Sequence, residues 1–381
     1  MKKVGLLTLY ENNYGSALQS YAMKYILWKL GYDCYLIDEK LGTDNSYIKK
    51  FGKALRLVYR SLRYKGYYTS WKSMRNAMVK EQNLISKESA IQLDRFIKNE
   101  LQPKVYKHKE ILQVGRDKTY HAFIVGSDQV WNASRDIPDK FFLRFAPRDK
   151  RLAYAASFGV AAIPKFNIKY IKKELKKFRE ISVREESGQY IVHEIIGKSC
   201  CRVPDPVVLI EENDWRVFYG DCVIVSKDYI LAQFLSEPNN VAIEALNYVS
   251  KKLNISVICF AYHHTAYSML EKGRYFDGGV KEYLALIDNA KYVFTDSFHT
   301  CMFSIIFKKK FFVFDRQYLH LESQNSRIDD LINRYDIQQC KIDSIDEITR
   351  GMEDNIPSND VFLNKERQNG IKFIKEALYI E

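Results

Sequence analysis

The sequence predicts an α/β protein of two doubly wound, Rossmann-like domains that face one another across a cleft. Three observations predict it. Short apolar runs that read as strands alternate with segments of helical periodicity along most of the chain. The alternation restarts after a Pro-Asp-Pro segment, and a chain of 381 residues with 46% apolar side chains exceeds one ordinary core.

The elements follow in order. "KKVGLLTLY" is a strand, and "ENNYGSALQSYAMKYILWKLGY" is a polar, glycine-containing loop that leads into a helix. "DCYLID" is the next strand, which gives a βαβ opening and hence a parallel sheet. Asn12, Asn13, Tyr14, Gly15 and Ser16 then fall at the carboxyl edge of the first strand, where open α/β sheets bind ligands. The loop has neither G-x-G-x-x-G nor a Walker lysine, so no dinucleotide or P-loop site is expected.

After a basic insert, "SAIQLDRFIKNEL" reads as a helix and "HAFIVGSDQVW" as a strand ending in Ser127-Asp128-Gln129. "RLAYAASFG" and "ISVREESG" are strands with polar ends, separated by a lysine-rich helix from Ile168 to Phe178. "VPDPVVLI" reads as a rigid connector around Asp205 and places the boundary between a first domain, 1–205, and a second, 206–358. The second series runs through the strands "YILAQFLS", "ISVICFAYHH", "KYVFTD" and "KKFFVF", with helices between them. A terminal helix at about 359–381 is expected to pack back on the first domain, completing a GT-B-like arrangement.

Charge adds a second layer. Lys and Arg exceed Asp and Glu by 59 − 47 = 12. Residues 45–80 contain no acid but hold Lys49, Lys50, Lys53, Arg56, Arg60, Arg63, Lys65, Lys72, Arg75 and Lys80, interleaved with aromatic and aliphatic residues. Such a segment suits an anionic membrane surface or a polyanionic substrate, and it also fits a solvated helical face. No nucleic-acid-binding motif accompanies it. No signal peptide or transmembrane run is visible, and the seven cysteines lack a Cys-x-x-Cys pair, so a cytoplasmic chain with reduced thiols is expected. His263-His264 is an adjacent pair without a partnering carboxylate, so no metal site is expected.

Polar clusters at strand ends mark the candidate site. In "KYVFTDSFHTCMFSIIF" a strand breaks into small polar residues before a helix, a turn suited to an anion, with His299 beside it. Together with "YENNYGSALQSYA", "IVGSDQVWN", "AYAASFG", "ISVREESG" and "VPDPVVLI", this segment resembles the polysaccharide pyruvyl transferase family, in order from Tyr10 to about Phe314. The resemblance implies transfer of a pyruvyl group from phosphoenolpyruvate onto two hydroxyls of a sugar. That sugar would belong to a cell-surface polysaccharide or its lipid-linked precursor, the product would be a pyruvate ketal, and no cofactor would be needed. It maps donor binding onto Arg184 and His299, with Ser297 and Thr300 beside them, and catalysis onto His299 and Asp128. Asn13, Ser16 and Gln129 would line the acceptor side. Characterised-type members carry Arg-Leu-His where this chain, like many of the family's broad bacterial branch, has Ser297-Phe298-His299, so one donor-binding cation is missing here; either Arg274, Arg316 or Arg327 replaces it or the same cleft takes a different activated donor. Two alternatives share these features: a GT-B glycosyltransferase using a nucleotide sugar, and a non-catalytic glycan-binding relative. The expected setting is the cytoplasm, with peripheral contact at the inner face of an anionic membrane.

Overall fold

The structure, a computed structural model, describes residues 1–11, 13–40, 47–69, 71–72, 85–134, 137–222, 227–262, 270, 273–316, 326–353 and 360–379. Asn12, His263, His264 and parts of the basic insert lie outside the described residues.

The first half contains β1 (Lys2–Leu7), α1 (Tyr14–Lys29), β2 (Tyr32–Glu39), α2 (Tyr47–Arg63), α3 (Lys87–Phe96), β3 (Lys104–Tyr106), α4 (His108–Arg116), β4 (Tyr120–Val125), β5 (Arg151–Ala156), α5 (Lys165–Leu175), β6 (Glu180–Val183), α6 (Glu186–Ile196) and β7 (Cys201–Arg202). Its strands form one parallel sheet in the order β3-β2-β1-β4-β5-β6-β7. Helices cover both faces, which is why β4 and β5 read as continuous apolar runs instead of alternating ones.

The chain then makes one helical turn, α7 (Pro206–Leu209), and continues through α8 (Glu212–Tyr219), β8 (Tyr229–Gln233), α9 (Asn240–Leu253), β9 (Ser256–Phe260), β10 (Gly273–Phe276), α10 (Val280–Asn289), β11 (Tyr292–Thr295), α11 (Phe298–Ile306), β12 (Phe311–Val313), α12 (Ser326–Tyr335), α13 (Ile345–Glu353) and α14 (Asp360–Leu378). The second sheet is also parallel, in the order β10-β9-β8-β11-β12.

The last helix, α14, returns to the first sheet. Phe373 packs 6.1 Å from the Tyr154 ring, and His121 Nε2 donates to the Leu378 carbonyl at 2.6 Å. Gly370 permits this approach, because a Cβ there would come within 2.6 Å of Leu209 Cδ2 and 2.7 Å of the Tyr154 hydroxyl.

Local readings shift in three places. Gly15 and Ser16, expected in a loop, belong to α1, because Asn13 accepts from their backbone N–H groups at 2.8 and 3.2 Å and starts the helix early. The lysine-rich helix runs Lys165–Leu175 instead of 168–178, beginning directly after Pro164. The edge strands β3, β7 and β10 carry exposed residues and so give no apolar run to read. Among the described residues, no helix is long and apolar enough to cross a membrane.

Candidate active site

Each sheet reverses its strand order once, between β1 and β4 in the first and between β8 and β11 in the second. Loops at the carboxyl ends of the strands flanking such a point open into the crevice where α/β sheets hold ligands. Here the two crevices meet. The turn after β1 brings Asn13 and the start of α1 to Ser16, the loop after β4 brings Ser127 and Asp128, Arg184 follows β6, and β11 leads into Ser297 and His299.

Tyr14 holds the halves together at this point. Its ring stacks 5.3 Å from Tyr283 of the second sheet's layer, and its hydroxyl donates to the Gly278 carbonyl at 2.5 Å. The contact draws the N-terminus of α1 onto that of α11. Position 15 then has no room for a side chain: a Cβ would lie 2.2 Å from His299 Nδ1.

Arg184 is buried among carboxylates. Its Nε donates to Glu185 Oε1 at 3.0 Å and its Nη1 to Asp205 Oδ2 at 2.8 Å, while Nη2 stands 3.7 Å from Asp128 Oδ1. Beneath the guanidinium lies the Phe298 ring, 4.2 Å from its centroid to Cζ, a cation–π contact. Arg334 of α12 donates to the Arg184 carbonyl at 3.2 Å.

Asp128 sits at φ 62°, a left-handed turn that aspartate tolerates better than most residues, and accepts from Ser16 Oγ at 2.6 Å. Asp205 caps α7 through Val207 N–H, accepts from Ser127 Oγ at 3.0 Å, and stands 3.6 Å from His299 Nε2. Burial pushes both carboxyls up, but neighbouring cations and donors outweigh it and hold both below the ordinary carboxylate range. They are His299 and Arg184 at Asp205, and Arg184, His299, Arg327 and the Ser16 hydroxyl at Asp128. Burial works against the Arg184 cation, yet Glu185, Asp205 and Asp128 raise its pKa above the ordinary value.

Three buried nitrogen atoms here have no hydrogen-bond partner, Arg184 Nη2, His299 Nε2 and Arg334 Nε, although the first two stand at ion-pair distance from Asp128 and Asp205, 3.7 and 3.6 Å. Unmatched polar atoms are costly inside a protein, and at a crevice they mark the place of a ligand. Beside Arg184 opens a small depression lined from one side by Arg184, Glu185 and Asp205 and from the other by Phe298, Met302, Asp330 and Arg334.

The other sequence-derived residues fall as follows. Ser297 caps α11 by accepting from Thr300 N–H at 3.4 Å. The Thr300 hydroxyl donates to Gln233 Oε1 at 2.6 Å and lies 2.8 Å from the Tyr283 hydroxyl, within the second sheet's layers. Asn13 spends its side-chain oxygen on capping α1, and Gln129 accepts from Asn132 at 2.7 Å. Of the substitute cations, Arg274 lies exposed on the edge strand β10, and Arg316 donates to the Asp296 carbonyl at 3.0 Å. Arg327 is buried and acts electrostatically on Asp128.

Sequence reasoning missed Asp205 and Arg334. The Pro-Asp-Pro spacing of residues 204–206 was the available signal for Asp205, since it fixes a carboxylate at a helix start.

Residues 13–318 match the sequence profile of the family described as polysaccharide pyruvyl transferase. No curated protein matches the chain in sequence. Among solved structures, UDP-GlcNAc 2-epimerase from Methanocaldococcus jannaschii is similar over 99% of this chain and 99% of its own, with a TM-score of 0.53 and 14% identity. The Rickettsia bellii UDP-N-acetylglucosamine 2-epimerase aligns over 99% of this chain and 96% of its own, with a TM-score of 0.53 and 12% identity. That of Neisseria meningitidis, bound to UDP-GlcNAc, covers 99% of both chains with a TM-score of 0.51 and 10% identity. At these identities the likeness establishes the GT-B-type fold alone. The motifs gathered at this cleft and the profile match over residues 13–318 carry the rest: the chain belongs to the polysaccharide pyruvyl transferase family.

Proposed function

We propose that the protein transfers a pyruvyl group from phosphoenolpyruvate to a sugar of a cell-surface polysaccharide or its lipid-linked precursor, forming a pyruvate ketal. The observation that carries the donor assignment is that two buried nitrogens, Arg184 Nη2 and His299 Nε2, contributed by the two halves of the cleft, make no hydrogen bond. A donor with a carboxylate and a phosphate would supply acceptors for both. Because Arg184 already faces three carboxylates, the donor gains from it mainly through Nη2, and His299 and Arg327 supply further positive charge.

In this reading His299 protonates the donor's methylene carbon, and an acceptor hydroxyl bonds to the cationic C2 while its proton passes to Asp128. The C2–O bond to phosphate then breaks, with the departing phosphate held by Arg184, and the neighbouring hydroxyl closes the ketal as its proton returns to the now neutral His299. Ser16, bonded to Asp128, fixes the base on the acceptor side. The basic segment around α2 would hold the enzyme at the inner membrane face, beside a lipid-linked acceptor.

Calorimetric titration with phosphoenolpyruvate, beside UDP-GlcNAc and a His299→Ala control, tests the donor. A ligand at about 100 times its Kd stabilises the fold by roughly 2.7 kcal/mol, readily seen in thermal unfolding. Phosphoenolpyruvate binding that is lost in His299→Ala is expected. Binding of UDP-GlcNAc with no response to phosphoenolpyruvate would overturn the reading.

A further inference from the structure

We infer that α2 is the membrane-docking element of this enzyme and that its exposed apolar stripe inserts into the interface of an anionic phospholipid bilayer. The inference deepens the proposed function, on which its role in acceptor delivery rests. Phe51, Leu55, Val58 and Leu62 follow the i, i+4, i+7, i+11 spacing of one helical face, and they are 64, 54, 57 and 84% exposed. Tyr59, on the flank of that face, is 63% exposed. A continuous apolar stripe open to water is unusual on a soluble surface and marks an interaction face.

The opposite side of the helix is anchored. Arg60 stacks over the rings of Tyr67 and Phe166 at 5.7 and 5.6 Å, and Tyr67 meets Phe166 edge-on at 4.9 Å. Phe166 opens α5, which follows the loop from β5 whose Ser157 N–H donates to the Asp128 carbonyl at 3.0 Å. The stripe is therefore fixed to the carboxyl edge of the first sheet, the edge that carries the acceptor side of the cleft.

Charge selects the occupant. Residues 45–80 hold ten cations and no acid, and Arg63, Lys65 and Lys72 are exposed. Cations in the same segment as an apolar stripe match an anionic headgroup layer over an acyl boundary. A lipid-linked saccharide in that bilayer would meet the cleft from the same side.

The test is co-sedimentation of the full chain with phosphatidylglycerol–phosphatidylcholine vesicles and with phosphatidylcholine vesicles alone. Two variants accompany it, Leu55→Ser/Leu62→Ser and Arg63→Gln/Lys65→Gln/Lys72→Gln. The expected result is binding to the anionic vesicles only, weakened by salt. Three surface cations at about 1 kcal/mol each predict a roughly 100-fold loss of partition in the charge variant, and the apolar variant should also be released. Phosphoenolpyruvate titration of the same variants should match wild type, which separates loss of docking from loss of the site. No binding to anionic vesicles, or binding indifferent to both variants, overturns the inference. So does a concentration-dependent dimer dispersed by Leu55→Ser/Leu62→Ser, which would assign the stripe to a second copy. Vesicle binding without any response to phosphoenolpyruvate would leave docking intact and remove the proposed donor.

Discussion

Gly15→Ala tests the junction between the two halves of the site. The added methyl would stand 2.2 Å from His299 Nδ1, 2.3 Å from Cγ and 2.6 Å from Cβ, whereas ordinary contact begins near 3.4 Å. The imidazole or the start of α1 must therefore retreat by about 3.4 − 2.2 = 1.2 Å. Neither moves freely, since α1 is held by Tyr14 inside the second half and His299 is buried in the first turn of α11. Overpacking of this kind costs roughly 1–3 kcal/mol, offset by at most about 1 kcal/mol from replacing a helical glycine. A net loss of roughly 1–2 kcal/mol in stability is expected. Under the proposed function, with His299 as proton donor, a displacement of about 1 Å can cost roughly 100-fold in rate, so phosphate release from phosphoenolpyruvate should fall by about that factor.

The decisive assay is a double-mutant cycle in chemical or thermal unfolding. With His299→Ala the imidazole is gone, so Gly15→Ala should cost far less in that background, giving a coupling well above the roughly 0.3–0.5 kcal/mol seen between independent sites. Wild-type stability of Gly15→Ala, or additivity in the cycle, would refute the argument.

Further outcomes follow from the same geometry. Asp205→Asn leaves Arg184 and His299 short of a buried charge and should cost roughly 3–5 kcal/mol at neutral pH. Because the folded carboxyl titrates below its ordinary value, its contribution is present above about pH 4 and fades as pH falls toward the depressed folded value. The Asn variant should lack that part of the acid-side slope, and an unchanged slope would contradict the assignment. Phe298→Leu removes the ring under Arg184, a contact worth roughly 0.5–2 kcal/mol, and on the proposed donor assignment should weaken phosphoenolpyruvate binding about 2- to 30-fold by calorimetry. Unaltered affinity and stability would show that the ring does not hold the guanidinium. Burial pushes the thiols of Cys34, Cys200, Cys259 and Cys340 up to about 12, so alkylation at pH 8 should begin at exposed Cys201. Mass spectrometry showing prior labelling of Cys34 or Cys259 would contradict this.

Much of the site was legible because strand ends carry their own signature. Ser127-Asp128 and Arg184 each close an apolar run, and His299 lies just past the end of another, so a parallel-sheet reading puts all of them at carboxyl edges. Asp205 was not, since a carboxylate between two prolines looks like a turn until the fold sets it between Arg184 and His299. Gly15 likewise reads as a loop glycine, and its requirement comes from a side chain 284 positions away, 299 − 15. Ser297 and Thr300 turned inward to capping and core hydrogen bonds, which the local pattern of small polar residues does not distinguish from ligand contacts.

The sequence by itself determined the two parallel sheets, the family, and the basic amphipathic character of the segment containing α2, because these rest on periodicity and motifs within short windows. Only the tertiary structure decided which donors make no hydrogen bond, which helix face stays open to water, and how closely α1 meets His299. Those properties depend on groups distant in sequence whose hydrogen bonds and contacts are settled only when both halves close on one cleft.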